Sequence, residues 1–124
     1  MSSAFQNDKP IFVQIREIIE DQILNDQLKE NNQAPSTNQL VNFYKVNHLT
    51  VAKGVNQLVE EGILYKKRGV GMFVNEGAKE KLVQKRKETF VDDYIKGMIA
   101  EAHKLCISEE ELIQLIKKTK ERDE

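Results

Sequence analysis

The amino-acid sequence predicts an α+β fold that is mostly α-helical, with three helices, a short β-hairpin and then further helices. Serine and asparagine caps precede two apolar segments in the middle of the chain, which indicates two helix starts. Two glycines then separate two short apolar runs, a pattern typical of a tight hairpin. From Lys79 onward apolar residues again recur at helical spacing.

Length and composition fit one domain, or one small domain with a helical appendage, and disfavour a large enzyme. The 124 residues are 40% hydrophobic and 31% charged, a balance typical of globular rather than disordered chains. A membrane span needs about 20 successive apolar residues, and the sequence has no such run. The single cysteine, Cys106, cannot form a disulfide within the chain, so we expect a reducing compartment, the cytoplasm.

The net charge of −1 conceals an uneven distribution of charged side chains. Residues 1–35 contain three basic and six acidic groups, whereas residues 36–75 contain five basic and two acidic groups. Nucleic-acid-binding domains are often basic throughout. Contact with nucleic acid would therefore depend on the local positive charge in the middle of this chain.

The first predicted helix follows Asp8, which we expect to cap it, and has Pro10 in its first turn, where a missing N–H is tolerated. Five isoleucines between positions 11 and 23 share one face, with Arg16 and the acidic residues mostly off it. The polar stretch 28–35 predicts a loop with one short extended piece.

A helix-turn-helix pattern occupies the middle of the chain. Ser36 and Gln39 match a capping box that opens a short helix, and Asn47 is a good cap for a second helix from His48 to about Glu61. The apolar face of the second helix consists of Val51, Val55, Leu58 and Val59. Its opposite, free face carries Leu49, Lys53, Asn56, Gln57 and Glu60.

A β-hairpin is predicted after this second helix. Gly62 is expected to end the helix in the left-handed conformation. Glycines 69 and 71 then permit a tight turn with Arg68 at its tip.

The rest of the chain predicts an amphipathic helix of about six turns, then a last helix that a second capping box opens at Ser108 and a charged tail that we expect to fray. A lone helix cannot bury such a stripe, and an exposed apolar patch of that size marks an interface. We therefore expect a homodimer. The expected interface residues are Val91, Tyr94, Ile95, Met98, Ile99, Ala102 and Leu105.

An ordered set of motifs runs through the first part of the chain: Pro35-Ser36 with Leu40, then residues 46–51, 58–64 and 68–74. Together they make residues 9–74 resemble the winged helix-turn-helix domain of the GntR family of bacterial transcription regulators. The short helical remainder resembles the YtrA subfamily, in which a helical pair makes a homodimer without a large effector-binding domain. The resemblance implies a DNA-binding domain over 1–76 and a helical dimerisation region over 77–124.

Three positions depart from the wider family. Asn38, His48 and Ala52 stand where many members carry arginine, so three cationic contacts are absent or weakened. A recognition helix that opens with Asn47 is more similar to the shorter subfamily. The DNA sequence read by other members therefore does not transfer to this chain.

The resemblance implies that the second helix of the pair enters the major groove of double-stranded DNA with its N-terminus first. Polar side chains there suit base edges, and Lys53 suits a phosphate or a guanine. Free amides at the start of the shorter helix suit a phosphate, and Arg68 suits a narrow minor groove. The candidate DNA-binding residues are Ser36, Thr37, Asn38, Asn47, His48, Leu49, Thr50, Lys53, Lys66, Arg68 and Gly69.

Purely structural roles remain open for several of these residues. Ser36 is also explained by its cap, and Leu49 by ordinary packing or the exposure that single leucines often show. Lys66 and Lys67 fit a solvated strand edge. The basic residues within 79–87 fit a solvated helix face better than a DNA contact, because glutamates interrupt them.

The sequence thus predicts a sequence-specific transcriptional regulator, a repressor that binds a near-palindromic operator as a homodimer. One alternative is a winged-helix protein assembly module without specific DNA binding, and a weaker one is a ligand-sensing regulator with a small pocket between the domains. We predict no catalysis, metal or cofactor, because His103 and Cys106 are only two metal ligands and no nucleophile or phosphate-loop motif occurs.

Overall fold

The computed structural model describes residues 8–123, and these fall into two compact units, 8–84 and 85–123. The elements are α1 (Ile11–Leu24), α2 (Thr37–Tyr44), α3 (His48–Glu60), β1 (Leu64–Lys67), β2 (Gly71–Val74), α4 (Ala78–Phe90), a π-helical segment (Val91–Ile95), α5 (Lys96–Lys104) and α6 (Glu109–Asp123). The predicted mostly helical α+β fold with one hairpin is confirmed.

The core of the first unit lies between α1, α3, the hairpin and the start of α4. The predicted apolar faces of α1 and α3 are buried there, although Ile11 at the start of α1 is 42% exposed. The core residues are Ile15, Ile19, Ile23, Ala34, Leu40, Val51, Val55, Leu58, Ile63, Leu64, Val74, Ala78 and Leu82. Since α4 supplies the last two, its first turns belong to this core.

The helices α1 and α3 approach each other closely at Gly54. A Cβ atom at this position would lie 2.6 Å from the backbone oxygen of Phe12. Such a distance is shorter than van der Waals contact, so the two helices pack this closely only because residue 54 has no side chain.

An ion-pair network joins α1 to the end of α3. Arg16 and Glu20 are 8% and 5% exposed, and the Arg16 guanidinium lies 3.2 Å from the Glu20 carboxylate and 2.5 Å from that of Glu61. The hydrogen bond with Glu61 raises the pKa of Arg16, although desolvation opposes this. The prediction that charged residues of α1 lie off its buried face is wrong for this pair, because α3 supplies partners that the spacing along α1 does not reveal.

The starts of α2, α3 and α6 and the end of α3 agree with the predictions, but the start of α1 does not. Pro10 itself is the N-cap residue there, and no side chain caps the helix, so the predicted cap by Asp8 is wrong. After α3, Gly62 has φ +77°, which confirms the left-handed termination.

The strands β1 and β2 pair antiparallel, with Leu64 opposite Val74 and Lys67 opposite Gly71. The predicted extended piece before α2 is also present, because Gln33 forms an antiparallel bridge with Phe73. The segment around Gln33 therefore runs beside β2 at this isolated bridge, next to the two-stranded sheet.

The second unit departs from the predicted uninterrupted helix. A π-helical segment, Val91–Ile95, separates α4 from α5. A π-turn holds more residues than an α-turn, so a stripe counted at a constant helical period loses its register there. The tail that we expected to fray is helical through Asp123.

Candidate nucleic-acid interface

The candidate DNA-binding residues all lie in the first unit, and most are exposed. The exposed ones are Asn38, Asn47, His48, Leu49, Lys53, Lys66, Arg68 and Gly69, and the half-buried ones are Ser36, Thr37 and Thr50. None of these side chains belongs to the core of the unit. They are therefore accessible to a macromolecular partner.

The predicted capping box at the start of α2 is confirmed. The Ser36 hydroxyl accepts a hydrogen bond from the Gln39 amide at 3.0 Å, and the Gln39 side-chain oxygen accepts one from the Ser36 amide at 2.9 Å. Helix geometry offers no backbone acceptor to the amides of Thr37 and Asn38. These two amides can donate to an anion such as a phosphate.

The start of α3 is polar and exposed. The Asn47 side-chain oxygen accepts a hydrogen bond from the Leu49 amide at 2.7 Å, which confirms the predicted cap and leaves the Asn47 amide group as a donor. His48 follows it in the first turn. The Leu49 side chain is 77% exposed and provides apolar surface on the same turn.

Further along α3, two side chains of the predicted free face have partners on α1. The Lys53 ammonium lies 4.1 Å from the centre of the Phe12 ring, a cation–π contact that leaves the lysine exposed. Gln57 accepts a hydrogen bond from Arg16 at 2.8 Å. The prediction that Gln57 belongs to the free face is therefore wrong, because its oxygen is held by the α1 network.

The hairpin tip is a cationic turn. The amide of Val70 donates to the carbonyl of Lys67 at 2.9 Å, and Gly69 has φ +79° with open space around it. Arg68 is exposed on this turn. The Lys67 ammonium lies 4.6 Å from the ring centre of Phe73, so it packs along the strand rather than beyond the tip.

Two contributors to this surface have no distinctive signal in the sequence. Phe12 is one apolar residue among several in α1, yet its ring contacts Lys53. Gln33 lies in a polar loop, yet its side chain donates to the carbonyl of Val70 at 3.1 Å. Both contacts join residues far apart in the chain.

The expected dimerisation residues all lie in the second unit. Val91, Tyr94, Ile99 and Leu105 are exposed, Ile95 and Met98 are half-buried, and Ala102 is buried. Ala102 is therefore covered within one chain. The exposed members leave apolar surface for a partner.

The candidate metal ligands do not form a site. Cys106 is exposed and lies beyond the end of α5 with φ +58°, so it does not share a helical face with His103. Among residues 8–123, no group of three or more His, Cys, Asp and Glu side chains is arranged to hold a metal ion. None of the helices described there combines the length and apolar character of a membrane span.

The model of bacterial regulatory proteins of the gntR family matches residues 12–74. This match covers α1 from its second residue, α2 and α3 with the caps at Ser36 and Asn47, and the hairpin. The chain belongs to the GntR family. This GntR-family chain is also 31% identical to the HTH-type transcriptional repressor YtrA of Bacillus subtilis over 112 residues, which are 90% of this chain and 85% of YtrA.

Two solved structures extend the likeness. A GntR-family transcriptional regulator from Bacteroides thetaiotaomicron has a TM-score of 0.70 and 32% sequence identity, over 92% of this chain and 99% of that one. The DNA-binding domain of AraR in complex with operator ORE1 has a TM-score of 0.53 and 26% identity, over 60% of this chain and 93% of that one. The predicted YtrA-like member of the GntR family, a transcriptional regulator rather than an enzyme, is confirmed.

Proposed function

We propose that this GntR-family regulator is a cytoplasmic repressor that binds a near-palindromic operator in double-stranded DNA as a homodimer. One observation carries the proposal: the polar start of α3 at Asn47 and the cationic turn at Arg68 are both exposed on the first unit. The AraR domain of similar fold is solved with operator DNA, and YtrA is a repressor. Residues 1–76 are the proposed DNA-binding domain and residues 77–124 the proposed dimerisation region.

In this proposal the first turn of α3 reads base edges in the major groove. The amide group of Asn47, the imidazole of His48 and the hydroxyl of Thr50 supply donors and acceptors, and the exposed Leu49 side chain fits a thymine methyl group. Lys53, one turn further, reaches a phosphate or a guanine. The contact with Phe12 restricts the directions that its ammonium takes.

The other contacts position the protein on the duplex. Free amides of Thr37 and Asn38 behind the Ser36 cap bind one phosphate. The turn at Gly69 carries Arg68 into the minor groove, where a narrow groove has an enhanced negative potential. Lys66 on β1 adds a further phosphate contact. The phosphate contacts supply affinity and register, whereas Arg68 would respond to groove width, which varies with the DNA sequence.

Dimerisation supplies the second half-site. The second unit exposes large apolar side chains, among them Tyr94, Ile99 and Leu105, and an isologous interface buries the same patch on both copies. A two-fold pair presents two recognition helices about one helical turn of DNA apart. Because one domain carries few cations, joining two copies raises affinity through effective concentration.

Selection of bound fragments from random duplex DNA tests this function. We expect an inverted repeat in the selected fragments and a dimer in sedimentation at the concentrations that bind. Arg68→Ala and Lys53→Ala should each lower the affinity for the operator. Each should also reduce the slope of log affinity against log salt concentration, by about one for every phosphate contact that is lost. Lys29→Ala, which removes an exposed cation near Glu30, is the matched control and should leave affinity unchanged.

Two outcomes would contradict the proposal. If Arg68→Ala and Lys53→Ala both bind as the wild type does, neither side chain contacts DNA. If the protein binds no duplex DNA at all, the alternative of a protein assembly module is favoured.

A further inference from the structure

The segment before α2 is fixed to the hairpin by backbone hydrogen bonds. The amide of Ala34 donates to the carbonyl of Met72 at 2.8 Å, and the amide of Val74 donates to the carbonyl of Asn32 at 2.9 Å. Between these bonds, Gln33 forms its bridge with Phe73. Gln33 therefore has a strand-like backbone that the hairpin itself holds in place.

The side chain of Gln33 reaches the turn of the hairpin. Its amide nitrogen donates to the carbonyl of Val70 at 3.1 Å. The glycine at position 71 permits this approach, since a Cβ atom there would lie 2.6 Å from the same nitrogen. Gly71 also has φ +145°, a conformation that other residues rarely adopt.

This hydrogen bond adds a side-chain restraint to the turn. The amide of Val70 donates to the carbonyl of Lys67 beside the ladder pair of Lys67 and Gly71, and a Cβ atom at Gly69 would meet nothing within 4 Å. A flexible loop pays conformational entropy when it is ordered on a partner. Holding the Val70 carbonyl in the free protein lowers that cost.

We propose that Gln33 is a positioning residue for DNA binding, whose hydrogen bond to Val70 fixes the turn that presents Arg68 to the duplex. The inference rests on the proposed function, since it requires that Arg68 contacts DNA. Segment 31–34 also leads directly into the Ser36 cap of α2. The same short segment thus joins the hairpin turn to the start of α2, where a phosphate contact is proposed.

A double-mutant cycle on operator affinity tests this role. Gln33→Met keeps the length of the side chain and its zero charge but cannot donate a hydrogen bond. It should lower operator affinity about threefold to tenfold in the wild-type background, the range that ordering one side chain on binding costs. In the Arg68→Ala background the same substitution should change affinity less than about twofold, because it acts through Arg68.

The controls separate positioning from folding. Gln27→Met makes the same change at an exposed position of the first unit and should leave affinity unchanged. Gln33→Met should still unfold in one cooperative thermal transition with only a slightly lower midpoint, because the lost hydrogen bond is exposed. Gln33→Ala, which removes the donor without adding apolar surface, should reproduce the loss of affinity.

Each outcome of the cycle has a distinct meaning. Equal losses from Gln33→Met in both backgrounds would overturn the inference, and so would no loss in the wild-type background while Arg68→Ala still weakens binding. If Arg68→Ala itself leaves affinity unchanged, the contact in the proposed function fails, and the positioning role of Gln33 fails with it.

Discussion

The two units of the chain differ in how completely they bury their apolar side chains. In the first unit, α1, α3 and the hairpin enclose a core in which Ile15, Ile19 and Val51 have no exposed surface. In the second unit, Tyr94 is 65% exposed and Leu105 61% exposed. Both units have amphipathic helices. They differ in whether the same chain supplies another helix or strand that covers the apolar face.

In the proposed homodimer the two units therefore depend on different equilibria. A unit with a closed core gains its stability within one chain, so its stability does not vary with protein concentration. A unit whose open apolar face is covered by a second copy would become more stable as the protein concentration rises.

Removing Arg16 should destabilise the closed unit most. Arg16→Ala breaks the buried ion pair between Arg16 and Glu20, and removing one partner of a buried pair costs about 3–5 kcal/mol. Urea unfolding, followed by circular dichroism at two protein concentrations, should show the same loss at both. The double variant with Arg16→Met and Glu20→Met should regain most of the lost free energy of unfolding.

The control for this prediction is Lys9→Ala. The ion pair between Lys9 and Glu17 is partly exposed, and such pairs contribute about 0–1 kcal/mol. A loss below about 1 kcal/mol for Arg16→Ala, similar to that of the control, would mean that the buried network does not hold α1 and α3 together.

Placing a charge on the open face should break the dimer and leave the first unit intact. Ile99→Glu puts a carboxylate where apolar surface is buried in the proposed homodimer, and should weaken association at least about 100-fold. Sedimentation equilibrium measures this change. Gly97→Glu is the matched control, because Gly97 is exposed with open space around it and lies two residues away, on the opposite side of α5.

An unchanged dimer in Ile99→Glu would contradict the contrast between the units. It would mean that the face around Ile99 remains solvated and that another surface joins the two copies. Loss of the dimer in Gly97→Glu as well would show that any added charge on α5 prevents association.

The features that could be predicted from the sequence are local ones. The caps at Ser36 and Asn47 and the glycine termination at Gly62 each depend on residues within a few positions of one another. The helix-turn-helix, the hairpin and the exposed candidate surface follow from these signals. They define most of the fold and the position of the candidate site.

The features that could not be predicted involve partners distant in the chain. Arg16 donates hydrogen bonds to Gln57 and Glu61, which lie 41 and 45 residues further along the chain. Gln33 donates one to Val70, which lies 37 residues further along. Helical spacing places a residue on a face but does not say what another element brings to that face. The π-helical segment cannot be predicted from helical spacing either, because that spacing presupposes a constant period.

The same substitution, glycine to alanine, should have opposite effects in the two units. Gly54→Ala forces α1 and α3 apart, because the new Cβ would lie 2.6 Å from the backbone oxygen of Phe12, and overpacking of this kind costs about 1–3 kcal/mol. Gly97→Ala meets nothing within 4 Å and should stabilise α5 by about 0.5–1 kcal/mol. Thermal unfolding of both variants measures the two signs, and equal signs would contradict the contrast.

The smallest expected effect concerns the caps that open α2 and α6. Ser36→Ala removes one half of a complete capping box, and this loss should destabilise the first unit by about 1 kcal/mol. Ser108 accepts a hydrogen bond from the Glu111 amide at 3.1 Å. However, α6 has no buried residue, so no packing contact holds its first turn in place. Ser108→Ala should therefore fray α6 locally without lowering the midpoint of global urea unfolding. Hydrogen exchange at the first amides of each helix distinguishes the two responses, because a cap coupled to a closed core alters exchange throughout the unit, whereas a cap on an open helix alters it only at the helix end.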